Sequence, residues 1–117
     1  MKTIKRPVNC HAAYHAHVYF ERKTLVLATA LCAQAGERFS VKIGRVHQQT
    51  VGPHPMWSCQ ILFAAKHFDD LVPWLHENRQ GLTVLVHGVT GNDLDDHTIY
   101  AYWLGDSVEL NVSMFGG

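Results

Sequence analysis

The chain has 117 residues, 47% of them hydrophobic, and its formal net charge at pH 7 is +0. That length and composition fit one domain with a genuine core. They argue against a nucleic acid or an anionic membrane as the main partner, because both call for a basic surface, and no apolar run approaches the ~20 residues of a membrane span.

In chain order, residues 1–12 are expected to form a loose arm with Lys2, Lys5 and Arg6 solvated. Met1–Pro7 lacks the apolar stretch of a secretory signal. Cys10, Cys32 and Cys59 are odd in number and match no zinc-knuckle spacing. Free thiols in a reducing cytoplasm are the simplest expectation, with Cys32 in the core and Cys59 either in the core or beside the site.

Tyr14 to Phe20 predicts a β-strand: aromatic and β-branched residues without Gly or Pro. Alternation places Tyr14, Ala16, Val18 and Phe20 on one face and His15, His17 and Tyr19 on the other. Glu21 to Gly36 predicts a helix, with Leu25, Ala28, Leu31, Cys32 and Ala35 at helical spacing and Gly36 as its cap. A second strand is expected over about Phe39–Val46, then a loop from His47 to Pro55. A third strand follows over Met56–Phe63. Lys66 to Asn78 predicts a second helix with Phe68, Leu71, Val72 and Leu75 inward and Pro73 as a kink or an early turn. Gly81 ends it, and Leu82–His87 is a buried-type fourth strand. After a polar loop over Gly88–Asp96, two further strands are expected at His97–Leu104 and Val108–Phe115.

The order β-α-β-β-α-β predicts an α+β, ferredoxin-like sandwich: an antiparallel sheet ordered 4-1-3-2, two helices on one face, and extra C-terminal strands. Strands one and four are then neighbours, and His87 faces the same side as His15 and His17. Either the fifth-strand hairpin or a second subunit would have to cover that face.

Chemistry concentrates in the histidines, nine in the chain. Strands about 4.8 Å apart let His15, His17 and His87 converge on one ion, a set suited to iron or zinc. The alternative is ordinary histidines with hydrogen-bonded rings. His54 stands between Pro53 and Pro55, which fix its backbone for a ligand, a general base, or a rigid turn. Asp93, Asp95, Asp96 and His97 form an acidic loop that either completes a two-His-one-carboxylate set or caps a turn. Trp57 is expected in the core, with stacking on an aromatic substrate as the second possibility. His11, His47, His67 and His76 receive no role. No serine-nucleophile motif and no phosphate-binding glycine loop is present.

The segments Tyr14-His15-Ala16-His17-Val18-Tyr19-Phe20, Gly52-Pro53-His54-Pro55-Met56-Trp57, Leu85-Val86-His87-Gly88 and Asp95-Asp96-His97-Thr98 together resemble the DOPA 4,5-dioxygenase family, over roughly residues 12–105. The resemblance implies a ferredoxin-like fold, a mononuclear non-haem Fe(II) centre, and extradiol cleavage of a catechol by O2. The family's histidines carry over onto His15, His17, His54, His87 and His97. The resemblance leaves open which of them touch the metal and which act as acid or base; rigid strands favour His15, His17 and His87 as metal ligands, and a loop position favours His54, or failing it His97, as the acid–base group. The expected partners are a small catechol such as DOPA, O2 and a second copy of the chain in a homodimer. The competing reading is a non-catalytic dimeric module that binds a metal or small aromatic ligand on its open sheet face; a further one has the histidines lining a dimer interface.

Overall fold

A computed structural model describes residues 8–50 and 52–115. Strand β1 (Ala13–Phe20) leads through a 3-10 turn into helix α1 (Leu25–Phe39). Strands β2 (Lys42–His47) and β3 (Trp57–Ala64) follow, then helix α2 (Ala65–Asn78) and strand β4 (Val84–Gly88). A single helical turn, α3 (Asp93–Asp96), precedes β5 (Ala101–Leu104). The five strands form one sheet ordered β2-β3-β1-β4-β5, and every pairing is antiparallel. The fold is thus α+β, consistent with a ferredoxin-like sandwich that gains one strand at the β4 edge.

Period-two alternation along the sheet sorts its side chains cleanly. Tyr14, Ala16, Val18 and Phe20 of β1 join Cys59, Ile61 and Phe63 of β3 and Val84 and Val86 of β4 in one core. Ala28, Leu31, Cys32 and Ala35 of α1 and Phe68, Leu71, Val72 and Leu75 of α2 cover that face. Each fully buried Val or Leu stabilises by about 1.5–3 kcal/mol. Cys32 and Cys59 meet inside this core, thiol to thiol, so Cys59 is a core residue turned away from the histidines. Trp57 shares the core face and packs edge-on to Phe20, 6.1 Å between rings.

Three expectations are corrected. Gly36 does not cap α1, which runs on to Phe39 and ends at Ser40 in the left-handed conformation, φ 55°. Gly36 serves packing instead: a Cβ there would lie 2.8 Å from Cγ1 of Ile43 on β2. The helix therefore consumes Phe39, and β2 begins later and extends through His47. The strand expected over His97–Leu104 is shortened to Ala101–Leu104, because the amides of Thr98 and Tyr100 are bonded to the Asp95 carbonyl of the α3 turn.

The strand expected over Val108–Phe115 is absent. The chain turns at Gly105 (φ +86°) and crosses the second face of the sheet without a strand partner. Val108 and Leu110 pack on a small cluster of Tyr19, Leu85 and Ala101. The Asn111 amide donates to the Pro53 carbonyl at 2.9 Å, and Val112–Phe115 closes in a 3-10 turn. This returning segment covers the apolar part of the second face. Pro73 sits within α2 on its exposed side, where the carbonyl it leaves unbonded can reach water.

Of the expected N-terminal arm, residues 1–7 lie outside the described residues. Residues 8–12 are tied to β1: the amides of Cys10 and His11 donate to the Tyr14 hydroxyl at 2.7 and 2.8 Å.

Candidate metal and catalytic site

The face opposite the helices carries the histidines. On β1, His15 and His17 alternate with the core residues; on β4, His87 lies directly across from His15. The strand pairing thus delivers three imidazoles to one spot, and a ring nitrogen from each lies within 4.8 Å of the others. His17 and His87 are buried and His15 half-buried.

The two buried rings stack nearly parallel, 12° apart, with His17 Nε2 and His87 Nε2 separated by 3.0 Å. Two ligand atoms each ~2.1 Å from one ion and about 90° apart would be separated by about 3.0 Å. The spacing therefore fits adjacent ligands of a divalent metal. The ring orientation is also set from behind. His87 Nδ1–H donates to the Gly88 carbonyl at 2.8 Å, which leaves the lone pair of a neutral ring on Nε2. The Gln60 amide nitrogen lies 2.9 Å from Nδ1 of His15 and donates to it, which fixes that ring and leaves the hydrogen of a neutral His15 on Nε2.

Electrostatics keep the trio in the ligand form. Burial pushes His87 down to about 3, against the Gly88 carbonyl bond that favours its charge. Burial, then the neighbouring His54 and His87, hold His17 well below the ordinary imidazole range. Burial and His97 lower His15. Neutral imidazoles are what a metal requires.

His54 and His97 complete the cluster from the loops. His54 is buried between Pro53 and Pro55 with its ring 4.1 Å from that of His17. Its Nδ1 lies 2.6 Å from the Tyr19 hydroxyl. Burial, then His97, His47 and His15, lower His54 to about 4. His97 follows the α3 turn; its Nδ1–H donates to the Asp93 carbonyl at 2.7 Å, and its ring lies 4.4 Å from His87 and 5.8 Å from His54. All five histidines singled out from the sequence therefore surround one cavity of about 280 Å3, near the low end of small-molecule sites.

The acidic loop does not complete the metal trio. Asp96 is buried, and its carboxylate accepts from the Thr90 amide at 3.2 and 3.0 Å and from the Thr90 hydroxyl at 2.6 Å. Asp93 is exposed at the cavity wall. Among the described residues, the groups close enough to share one ion are histidines alone.

Sequence reasoning missed three wall residues. His47 lines the cavity together with Ser58 and Gln60. Ser58 is opposite Tyr19 and His47, and Gln60 is opposite His17, in the strand register. Extending β2 by one residue and marking the face of β3 would have found all three. His67 and His76 lie on α2, away from this cavity. His11 packs against the back of Gly88.

Comparison with known proteins agrees with this geometry. Residues 14–114 match the sequence model of the Dopa 4,5-dioxygenase family. A DOPA 4,5-dioxygenase of Amanita muscaria is 33% identical over 109 residues, covering 86% of this chain and 48% of that protein. An uncharacterized 21.2 kDa protein of Botryotinia fuckeliana is 32% identical over 114 residues, covering 87% of this chain and 62% of that protein. The chain thus spans about half to three-fifths of the length of these curated relatives. The crystal structure of a candidate dioxygenase from Nostoc punctiforme superposes with a TM-score of 0.85 at 42% identity, covering 88% of this chain and 90% of that one.

Proposed function

The chain belongs to the Dopa 4,5-dioxygenase family, and on that premise we propose that it is a non-haem Fe(II) extradiol dioxygenase, opening the ring of a small catechol such as DOPA with O2. The observation that carries the proposal is the convergence of His15, His17 and His87, one ring nitrogen from each within 4.8 Å, beside two further histidines. A bound Fe(II) would supply the redox chemistry that brings catechol and O2 together.

The chain's own residues do the rest. His15, His17 and His87 hold the ion through neutral imidazoles on rigid strands. His54 and His97 face the same cavity and handle the protons of the catechol hydroxyls. Pro53 and the Asn111 bond to its carbonyl fix the loop that carries His54. Val108 and Leu110 shield the neighbouring part of the face from water.

The proposal extends to a single functional domain, acting as a ferredoxin-like homodimer in a reducing cytoplasm. Supporting the dimer, Val89, which lines the cavity, and Leu94 and Ile99, which flank Asp96 and His97 in the chain, are exposed. Supporting the compartment, Cys10, Cys32 and Cys59 are free thiols. Among the described residues no helix is long and apolar enough to cross a membrane.

The test is anaerobic loading with Fe(II), followed by catechol and then air. A yellow ring-opened product that requires iron and O2 supports the reading. Tight iron binding without any turnover of catechols would favour the metal-binding module instead.

A further inference from the structure

We propose that the two catalytic histidines are held in opposite tautomers: Tyr19 fixes His54 as an N–H donor toward the cavity, and the Asp93 carbonyl fixes His97 as a proton acceptor. This inference rests on the reading of His54 and His97 as the acid–base groups and divides the labour between them.

The argument for His54 starts from its partner. Tyr19 and His54 are both buried, and Tyr19 OH lies 2.6 Å from His54 Nδ1. Among the described residues, His54 Nδ1 is the hydrogen-bond partner of that hydroxyl. If Nδ1 carried the proton and donated, the phenol O–H would be left buried without an acceptor, at a cost of about 1–3 kcal/mol. The phenol therefore donates and Nδ1 accepts. A neutral imidazole with an accepting Nδ1 has its hydrogen on Nε2, on the ring edge away from Tyr19.

His97 shows the reverse. Its Nδ1 lies 2.7 Å from the Asp93 carbonyl oxygen, which can only accept. Nδ1 of His97 must carry the hydrogen, and the neutral ring then has its lone pair on Nε2. The two rings are 5.8 Å apart across the cavity they both line.

The proton traffic follows. A catechol O–H bond breaks and its proton passes to Nε2 of His97, leaving an imidazolium and a phenolate oxygen. The Nε2–H of His54 donates a hydrogen bond to negative charge on substrate oxygen. Tyr19 acts only through His54 and is a positioning residue, held on β1 two positions from His17.

The experiment is long-range proton–nitrogen NMR of histidine-labelled protein, metal-free and at mildly alkaline pH. Wild type is expected to show His54 with its hydrogen on Nε2 and His97 with its hydrogen on Nδ1. In Tyr19→Phe the His54 signature should become mixed while His97 keeps its own. The iron-loaded Tyr19→Phe variant should retain iron stoichiometry and KM for catechol while kcat falls about 10–100-fold. His54 with its hydrogen on Nδ1, or a His54 signature unmoved in Tyr19→Phe, overturns the proposal. Because the tautomers are read without turnover, a protein that cleaves no catechol refutes the assigned activity but not the hydrogen-bond polarity.

Discussion

His17 and His87 bring Nε2 to within 3.0 Å of Nε2 across the β1–β4 ladder. Without a metal, one must donate to the other. The Gly88 carbonyl already takes the Nδ1 hydrogen of His87, so His17 is the donor. In the proposed metal-bound form, His17 and His87 would give up that hydrogen bond to hold the ion together with His15. His15→Ala, His17→Ala and His87→Ala are each expected to weaken Fe(II) binding more than 100-fold, beyond the ~10–100-fold typical of outer-shell changes. Iron stoichiometry and circular dichroism on the same samples would check this. Equal iron content in wild type and all three variants would refute the site.

The Asp96 carboxylate accepts from Thr90 and clasps the loop, apart from the histidine trio. Asp96→Ala leaves the Thr90 amide and hydroxyl without their partner. A loss of about 1–3 kcal/mol in stability is expected, with iron stoichiometry unchanged. Chemical denaturation and metal analysis together test it. An iron-free but fully stable Asp96→Ala protein would make Asp96 the missing carboxylate ligand.

His54 stands apart from the strand histidines on a proline-braced loop. His54→Ala is expected to keep its iron and lose about 10²–10⁴-fold in rate. Loss of iron instead would make His54 a ligand, and an unchanged rate would leave it a turn residue.

Much of this arrangement was legible in the sequence, because period-two alternation is a strong local signal. It placed His15 and His17 opposite the core residues of β1, and the inferred strand order brought His87 beside them. What escaped depended on contacts distant in the chain. Gly36 reads locally as a stop, yet Ile43 seven positions on makes it a packing notch inside the helix. Val108 and Leu110 alternate like a strand, but their partners are side chains on the sheet face, and Asn111 bonds the His54 loop. His47 looked like a loop residue because nothing in its own segment reveals that β2 pairs through to Ser58.

The buried histidines make the metal-free protein acid-sensitive. The folded-state value is depressed for His54, to about 4, and for His87, to about 3. Unfolded, both titrate near 6.5. Between those values the unfolded chain binds more protons, so stability rises with pH. The full contribution is present above about pH 6.5 and is lost as pH falls, by about 1.4 kcal/mol per pH unit for each histidine. Denaturant midpoints of metal-free protein should fall steeply from pH 6.5 toward 4. His54→Phe, which has nothing to titrate, should show a shallower slope. Identical slopes in the two proteins would show that His54 is not buried neutral.

Gly88 links the N-terminal segment to the candidate metal site. Its carbonyl accepts from His87 Nδ1 at 2.8 Å, and on its other side the His11 ring fills the place of a side chain. An added Cβ would lie 2.5 Å from Cδ2 of His11, which is itself packed on Tyr100 with ring centres 4.4 Å apart. In Gly88→Ala either His11 is expelled or the Gly88 backbone moves and takes its carbonyl with it. The second outcome loosens the ring that presents Nε2 to the metal, and outer-shell changes of this kind cost about 10–100-fold in affinity. Gly88→Ala is expected to bind Fe(II) that much more weakly. The double variant Gly88→Ala/His11→Ala removes the obstructing ring and should recover most of the affinity. Recovery would show that His11 bears on the metal through the position of one carbonyl. A single variant that binds iron like wild type would mean that His11 yields instead, and that the metal site is independent of the N-terminal segment.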